Sequence, residues 1–334
     1  MTLLEVNGLN TSFFTARGEV RAVNDLSFTL EEGTVLGIVG ESGSGKSVTV
    51  YSILQILGAG GRIVSGSVKF RGEELTRLTE AQMQKIRGNK ISIIFQDPMT
   101  SLNPTHTVGA QLTEVIALHT ERTGAEAKAR AEELLRLVGI SAPEERLRQY
   151  PFELSGGMRQ RVMIAMALAC EPDILIADEP TTALDVTVQA EILRLMKELQ
   201  QRLGMAIILI THDLGVVAEL CDRVIVMYAG TACESGSVRD IFYSPSHEYT
   251  KGLLRSIPQR AEVGERLRSI SGAPINLLHL PKGCPFAPRC EEAMKICLRE
   301  PAPLTEIGDG HTARCWFNEK MRLCKSLGGK DDGK

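Results

Sequence analysis

The segment GESGSGKS, at residues 40 to 47, has the composition of a phosphate-binding loop. It follows the apolar run VLGIV and precedes a helical stretch. Glycines let a backbone wrap around phosphates with its N–H groups pointing inward, and the following helix N-terminus adds positive potential. We expect Lys46 to reach the β and γ phosphates of a nucleotide, and Ser47 to ligate magnesium. The predicted cradle consists of Gly40, Ser42, Gly43, Ser44, Gly45, Lys46, Ser47 and Val48.

An acidic strand end would supply the other half of this site. The apolar run ILIA ends in Asp178 and Glu179, and carboxylate oxygens suit both a hard cation and the orientation of an attacking water. We expect Asp178 to hold magnesium, directly or through water, and Glu179 to polarise the nucleophilic water. His212 closely follows the apolar run MAIILI, at what would be the same carboxyl edge of a parallel sheet. Taken singly, an Asp-Glu pair also suits a solvated helix cap, and a lone histidine is more often structural.

The segment LSGGMRQR, residues 154 to 161, lies between these two motifs and opens a further helical stretch. The hydroxyl of Ser155 and the backbone N–H groups of Gly156 and Gly157 would stand at a helix N-terminus, where they form an anion cradle. The chain therefore contains a second predicted anion-binding element in addition to the phosphate loop. We call this segment the signature.

The elements that position these motifs follow from the periodicity of apolar residues. Short apolar runs predict buried strands of a mostly parallel sheet, at Val35 to Val39, Ile91 to Phe95, Ile174 to Ala177, Ala206 to Ile210 and Arg223 to Tyr228. Helical periodicity lies at Glu126 to Val138 and at Val186 to Leu203. We therefore predict an α/β fold, with a P-loop core over residues 1–255 and residues 97–170 as an inserted helical subdomain that carries the signature.

Composition limits the possible partners. Charged residues make up 24% of the 334 residues, hydrophobic residues 43%, and the formal net charge is -3. These are the values of an ordinary globular protein, and the lack of a basic balance argues against a nucleic acid as the main partner. The start MTLLEV lacks a basic region followed by an apolar stretch, and no window approaches the roughly 20 apolar residues that span a bilayer. We expect a cytosolic protein that docks on a membrane protein.

The composition changes after Leu254, because Pro, Gly and Cys become dense between Ile270 and Cys315. We predict a small loop-rich appendage over residues 256–320, with a core separate from that of the phosphate loop. A disordered tail is expected over residues 321–334. A segment with so few apolar residues does not form a stable core by itself. We therefore expect that the appendage needs a cross-link, which we call the staple.

The candidate staple consists of Cys284, Cys290, Cys297 and Cys315. Disulfides are rare in cytosolic proteins, so a bound metal is favoured. Structural zinc usually shows a C-x2-4-C spacing, which these cysteines lack, whereas four thiolates also suit a 4Fe-4S cluster. Zinc and free thiols stay as alternatives. Apolar surroundings favour small buried thiols for Cys170, Cys221 and Cys233.

Six motifs, in this order, resemble the nucleotide-binding subunit of an ATP-binding-cassette (ABC) transporter: the phosphate loop, Gln96 in ISIIFQDP, LSGGM, ILIADEP, Asp185 in TALD, and His212. The resemblance runs from residue 3 to near residue 240. It implies that Gln96 contacts magnesium or the attacking water and couples the site to a membrane domain, while Asp185 helps to align two sites across a dimer. It also implies that Phe13 stacks on adenine, with Phe14 as the alternative, although both phenylalanines also suit a core.

The same resemblance implies that the signature works in trans. Ser155, Gly156 and Gly157 would close on the γ phosphate of ATP held by a second cassette, so that ATP joins the two cassettes and its loss releases them. Met158 departs from the glutamine that is commonest in the wider family. This departure weakens any expected side-chain contact to the sugar but leaves the backbone contacts intact.

Three further segments resemble the ATPase subunits of bacterial oligopeptide and dipeptide importers: FQDPMTSLNPTHTVGAQLTEV, SPSHEYTKGLL and INLLHLPKGCPFAPRC. They extend the resemblance to near Phe317. It implies hydrolysis of ATP, with Mg²⁺, to power peptide import, and a 4Fe-4S cluster such as some of these subunits carry. The implied partners are a second, related ATPase subunit, two membrane permeases and, indirectly, an extracytoplasmic peptide-binding protein. A homodimer is an alternative for the isolated chain. The implied location is peripheral, on the cytoplasmic face of the cell membrane.

Two other functions compete with peptide import. One is the same machinery with nickel or another small solute as cargo. The other is a soluble cassette protein of DNA repair or translation, which would normally place two cassettes in one chain or insert a zinc module or coiled coil. This chain has a single uninterrupted cassette pattern, with QDPMTSLNP ahead of its signature, which disfavours the second alternative.

Overall fold

The computed structural model of this protein describes residues 1–97, 101–181, 184–257 and 270–318. Its strands are β1 (Thr2–Thr15), β2 (Gly18–Glu31), β3 (Val35–Val39), β4 (Gly61–Phe70), β5 (Glu73–Glu74), β6 (Ile91–Ile94), β7 (Ile174–Asp178), β8 (Ala206–Thr211), β9 (Arg223–Tyr228), β10 (Thr231–Ser237), β11 (Thr305–Gly308) and β12 (His311–Ala313). Its described α-helices are α1 (Lys46–Ile53), α2 (Glu80–Met83), α3 (Val108–His119), α4 (Gly124–Leu137), α5 (Pro143–Arg146), α6 (Gly156–Ala167), α7 (Val186–Leu203), α8 (Leu214–Leu220), α9 (Val238–Tyr243) and α10 (Glu248–Arg255).

Five parallel strands form the centre of the larger sheet, in the order β9-β3-β8-β7-β6. Strands β3, β7 and β8 are buried along their whole length, which is why they appear in the sequence as continuous apolar runs. The five predicted strands are confirmed, although β6 ends one residue earlier than expected and β7 and β8 end one residue later. Strands β10, β12 and β11 add an antiparallel extension at one edge.

A second, antiparallel sheet with the order β2-β1-β4-β5 was not expected from the sequence. It packs on the central sheet through one cluster that contains Leu4 of β1, Val50 of α1 and Ile38 of β3. The buried hydroxyls of Thr11 and Ser52, 2.8 Å apart, join β1 to α1. Register shifts along the pairing of β1 with β2 interrupt the alternation that marks a strand in sequence. This sheet therefore covers the face of the core that carries α1.

The other face of the central sheet is covered by helices from the segment between β6 and β7. Apolar residues of α3, α4 and α6, such as Leu112, Leu134 and Ile164, share a cluster with Leu175 of β7 and Ile207 of β8. The predicted helix near residues 126–138 is confirmed as α4, and α7 has the predicted bounds. The limits of the helical subdomain, residues 97 and 170, stay predictions.

The C-terminal segment belongs to the same body as the nucleotide-binding core, contrary to the separate core expected from its composition. Strand β12 pairs with β10, with Ala313 opposite Glu234, and thereby adds a strand to the edge of the larger sheet. Phe286 packs in one cluster with Val39 of β3 and Tyr249 of α10. Phe286 and part of the other apolar residues of this segment therefore pack on the cassette, whereas Leu298 and Leu304 are exposed. The expected disordered tail, residues 321–334, lies outside the described residues.

No helix in the described ranges is both long and apolar enough to cross a bilayer.

Candidate active site

The phosphate loop has the backbone conformation that its glycines allow. Gly40 lies at φ 154° and Gly45 at φ 100°. A Cβ atom at Gly40 would meet the carbonyl oxygen of Met227 at 2.2 Å, and one at Gly45 would meet that of Ala22 at 2.3 Å. These positions therefore accept only glycine, because backbone stands where a side chain would begin. Within the described residues, the buried hydroxyl of Ser44 has no hydrogen-bond partner.

Lys46 is the first residue of α1 and is buried beneath this loop. Its Nζ donates hydrogen bonds to the carbonyl oxygens of Gly40, at 2.8 Å, and of Glu41, at 3.0 Å. Burial lowers the pKa of Lys46, and the carboxylates of Glu179, Asp178 and Glu41 act in the opposite direction. Anionic groups close to the amine thus favour its charged form. The predicted phosphate-binding lysine lies where the loop and the acidic strand end meet.

Asp178 accepts hydrogen bonds from two residues of α1. Ser47 Oγ lies 3.0 Å from Asp178 Oδ1, and the Tyr51 hydroxyl lies 2.9 Å from Oδ2. Burial raises the pKa of Asp178, while the hydrogen bonds from Tyr51 and Ser47 lower it. Two of the three residues predicted to contact magnesium, Ser47 and Asp178, are therefore hydrogen-bonded to each other. Tyr51 was missed in the sequence, although its position four residues after Ser47 places both on one helix face.

The three predicted catalytic residues, Gln96, Glu179 and His212, meet at the carboxyl ends of β6, β7 and β8. Gln96 Nε2 donates to Glu179 Oε2 at 2.9 Å, and His212 Nδ1 lies 3.4 Å from Oε1. The backbone of Glu179 lies in the left-handed region, at φ 48°, which is uncommon outside glycine. Its N–H donates to the carbonyl oxygen of Ile210, and this bond to the neighbouring strand holds that conformation.

The signature residues stand at the start of α6. Ser155 is exposed and caps α6, where its hydroxyl accepts from the N–H of Met158 at 3.3 Å. A Cβ atom at Gly157 would meet Cγ1 of Val188 at 2.7 Å, so α7 packs directly on this glycine. Across the described ranges, no hydrogen bond or ion pair links Ser155, Gly156 or Gly157 to the phosphate loop. The exposed Asp185 caps α7 by accepting from the N–H of Val188 at 3.0 Å.

Both candidate adenine-stacking residues lie on β1. Phe13 is half-buried, and its ring stands so close to Gly61 that a Cβ atom there would meet it at 2.7 Å. Phe14 is exposed and lies under the guanidinium of Arg62, 3.9 Å from the ring centre. Stacking on adenine stays a prediction for either ring. Val48, a residue of α1, packs against the core. Residues 98–100 of FQDPMTSLNP and 182–183 of TALD lie outside the described residues.

The four appended cysteines line one small cavity of about 20 Å³. Burial raises the pKa of three of these thiols, that of Cys290 to about 11. Neighbouring backbone N–H groups favour the charged form of the same three thiols and act to lower their pKa: those of Phe286 and Ala287 at Cys284, that of Glu292 at Cys290, and those of Phe317 and Asn318 at Cys315.

This arrangement agrees only in part with the expected metal site. Converging thiols with N–H donors behind them have the chemistry of a thiolate metal site. A volume of this size holds one water-sized particle. Among the described residues, no group of three or more His, Cys, Asp or Glu side chains has the geometry to hold a metal ion. The cysteines that the structure describes are all free thiols.

Comparisons with known proteins cover nearly the whole chain. The family profile described as ABC transporter matches residues 23–182, and that of the oligopeptide/dipeptide transporter C-terminal region matches residues 233–297. The oligopeptide transport ATP-binding protein OppD of Salmonella typhimurium is 54% identical, over 94% of this chain and 93% of its own length. The dipeptide transport ATP-binding protein DppD of Bacillus subtilis is 52% identical, over 95% of each chain.

Solved structures with the same fold are ATP-binding cassettes. The cassette MJ0796, in a dimeric post-hydrolysis state bound to ADP and phosphate, has a TM-score of 0.64 at 28% identity. The alignment covers 71% of this chain and 99% of that one. CbiO1 of Clostridium perfringens, part of an ABC transporter complex, has a TM-score of 0.62 at 29% identity, with 73% and 91% covered.

Proposed function

This chain belongs to the family of oligopeptide and dipeptide ABC transporter ATP-binding proteins, and we propose that it hydrolyses ATP to power peptide import. The observation that carries the proposal is the meeting of two residue pairs at one edge of the central sheet. Ser47 contacts Asp178, and Gln96 contacts Glu179. These contacts join the phosphate loop to the residues that hold magnesium and orient water, which is what phosphoryl transfer to water requires.

The proposed roles follow from these positions. Lys46 and the loop N–H groups bind the β and γ phosphates, and Ser47, Asp178 and Gln96 hold the magnesium that neutralises them. Glu179 polarises the attacking water, and Gln96 and His212 hold its carboxylate from either side. Most of the catalytic effect would come from such fixed placement of charges, since phosphoryl transfer needs little covalent help from the protein. Phe13, or Phe14 in its place, stacks on adenine.

A second cassette completes each site. Ser155, Gly156 and Gly157 stand at the exposed N-terminus of a twelve-residue helix, and such an end attracts anions. They close on the γ phosphate bound by the partner, and Asp185 helps to align the two sites. The partner is a related ATPase subunit in the full transporter, and a second copy of this chain in isolation. The dimeric state described for the similar cassette MJ0796 supports this arrangement.

The remaining machinery lies outside this chain. Two permeases in the membrane would receive the motion of the cassettes, and an extracytoplasmic binding protein would select the peptide. The chain would therefore sit peripherally on the cytoplasmic face, with residues 1–255 as cassette, 97–170 as helical subdomain and 256–320 as appendage. Peptide cargo is supported, over nickel or another solute, by the similarity to oligopeptide and dipeptide transport ATP-binding proteins and by the match of residues 233–297.

Cys284, Cys290, Cys297 and Cys315 hold a metal in this proposal. A 4Fe-4S cluster is the first assignment, because four cysteine side chains line one cavity, backbone N–H groups favour the charged form of three of them, and four thiolates are the usual ligands of such a cluster. The small cavity favours the alternative of one zinc ion. In either case the bound group would be structural, because it would tie residues that contribute few apolar contacts.

The proposal is tested by the ATP hydrolysis rate of the assembled transporter in membranes. We expect the rate to rise when the extracytoplasmic binding protein is loaded with peptide, and not when nickel replaces the peptide. If the hydrolysis rate rises with nickel but not with peptide, the cargo would be nickel or another small solute and not a peptide. No hydrolysis by a complex that binds ATP would contradict the enzymatic role itself.

A further inference from the structure

Arg289 of the C-terminal segment forms a two-pronged ion pair with Glu41 of the phosphate loop. Its Nη1 lies 2.7 Å from Glu41 Oε2, and its Nη2 lies 3.0 Å from Oε1. The arginine side chain is only 6% exposed and that of Glu41 is 25% exposed. Paired, largely buried groups in this geometry are held much more firmly than an exposed ion pair. The appendage therefore contacts the loop whose lysine is proposed to bind ATP.

The guanidinium of Arg289 is fixed from several directions. Its Nε donates to the carbonyl oxygen of Ser271 at 2.9 Å, and its Nη1 lies 3.4 Å from the hydroxyl of Tyr228. It also lies 5.8 Å and 5.9 Å from the ring centres of Tyr228 and Phe286, within cation–π range. Because none of these contacts involves Glu41, the position of the Arg289 guanidinium does not depend on the ion pair alone.

Glu41 is held through its backbone as well. Its N–H donates to the hydroxyl of the buried Tyr249 at 2.8 Å, and its carbonyl oxygen accepts from Lys46 Nζ. Its carboxylate is one of the charges that act on that amine. An unpaired carboxylate at this point would share the space around Lys46 with the phosphates, and like charges repel strongly where burial limits screening.

We propose that Arg289 is a positioning residue for nucleotide binding, which neutralises the Glu41 carboxylate and holds it away from the phosphates. This inference rests on the proposed function, since it assumes that ATP binds at Lys46. It deepens that proposal, because it makes the folded appendage a determinant of nucleotide affinity. Arg289 acts through Glu41 and is not placed in contact with ATP.

The test is the dissociation constant for MgATP, measured by equilibrium titration on the full chain, for variants that change each charge separately. Arg289→Met leaves Glu41 uncompensated, so binding should weaken by about tenfold or more. Glu41→Gln leaves the arginine uncompensated, so binding should become tighter than in the parent. A merely structural ion pair predicts weaker binding in both variants, because each breaks the same contact.

Arg314→Met is the matched control. Arg314 also reaches from the C-terminal segment to a cassette carboxylate, with its Nη2 2.6 Å from Asp25 Oδ2, but that carboxylate lies outside the phosphate loop. We expect this variant to keep the parental affinity. If Arg289→Met fails to fold, the double variant Glu41→Gln/Arg289→Met replaces it and should bind MgATP at least as tightly as the parent.

Four results would overturn the proposal: parental affinity in Arg289→Met, weaker binding in Glu41→Gln, the same loss in Arg314→Met as in Arg289→Met, or weaker binding in the double variant. Because the readout is binding, these results differ from a failure of the proposed function. A parent that binds MgATP with the predicted variant pattern but drives no peptide import would refute only the transport role.

Discussion

Gln96 and Glu179 are joined by a hydrogen bond of 2.9 Å between the amide nitrogen and a carboxylate oxygen, across the ends of neighbouring parallel strands. The second carboxylate oxygen of Glu179 faces His212. The carboxylate proposed to orient water is therefore held from two sides, and its backbone is held by a bond to Ile210. A group fixed in this way needs little reorganisation during the reaction.

Replacing Glu179 by glutamine should separate binding from hydrolysis. Glutamine keeps the size of the side chain but cannot accept a proton from water, whereas Lys46 and the loop are unchanged. We expect Glu179→Gln to bind MgATP like the parent and to lose about a hundredfold or more in steady-state hydrolysis. Glu191→Gln, at an exposed glutamate paired with Arg161, is the control and should keep the parental rate. Parental turnover of Glu179→Gln in the full complex would refute the role.

The isolated chain should be a feeble ATPase, because in the described part of the chain no hydrogen bond or ion pair links Ser155, Gly156 or Gly157 to the phosphate loop. Activity should depend on protein concentration, and it should rise when a related ATPase subunit and the permeases are added. The measurement is hydrolysis rate against concentration, with sedimentation to establish the oligomeric state. Full activity, independent of concentration, in a demonstrated monomer would contradict a site completed in trans.

Magnesium binding should weaken in acid through Asp178. Burial raises the pKa of this carboxyl, and the hydrogen bond from Tyr51 acts against that rise. Magnesium competes with the proton, so its half-saturating concentration should increase as pH falls through the pKa of Asp178. Tyr51→Phe removes one bond to the charged form and should move this increase to higher pH, with magnesium binding roughly tenfold weaker at the acid end.

Tyr243→Phe is the control for this change, because Tyr243 is 79% exposed and lies on α9 outside the site. Its magnesium profile should follow that of the parent. Coincident profiles for the parent and Tyr51→Phe would mean that the Tyr51 hydroxyl does not influence Asp178.

If the four appended cysteines hold a metal, the purified protein should contain it. Anaerobically purified protein should be brown, with a broad charge-transfer band and roughly four irons per chain. Cys290→Ser should bleach this colour and reduce the protection of residues after Ile270 in hydrogen exchange. Colourless protein with one zinc per chain would keep the staple and reject the cluster. Protein without metal but with an equally protected appendage would reject both.

The same variant should also affect the nucleotide. A separate core for the appendage would leave nucleotide binding intact in Cys290→Ser, but the structure places Arg289 directly before this cysteine and in contact with Glu41. We therefore expect the MgATP affinity to fall together with the metal content. Cys170→Ser, at a half-buried cysteine of the cassette, should change neither quantity. Loss of metal with parental MgATP affinity would show that the two sites are independent.

Sequence reasoning was most effective where local patterns carry the information. The buried strands β3, β7 and β8 are continuous apolar runs, and Lys46, Asp178 and Glu179 lie in short motifs at strand ends. The contacts that were missed join distant residues: Tyr51 and Asp178 are 127 residues apart, and Glu41 and Arg289 are 248 apart. No periodicity encodes such a pairing, because it depends on how the C-terminal segment packs on the cassette.

The β1–β2 sheet and the pairing of β12 with β10 escaped prediction for related reasons. Bulges break the alternation of β1 and β2, and β12 has three residues, too few to show a period. The position of β12 is instead fixed by tertiary contacts, among them the buried pair of His311 Nε2 and Glu234 Oε1 at 2.8 Å.

The central claim is tested most directly by the uptake of a labelled peptide into vesicles that contain the complete transporter, with ATP supplied on the side of the cassettes and the peptide-binding protein on the other. The account predicts uptake that requires ATP and disappears when this chain carries Glu179→Gln. Equal uptake with the parent chain and with Glu179→Gln, or uptake without ATP, would contradict the account.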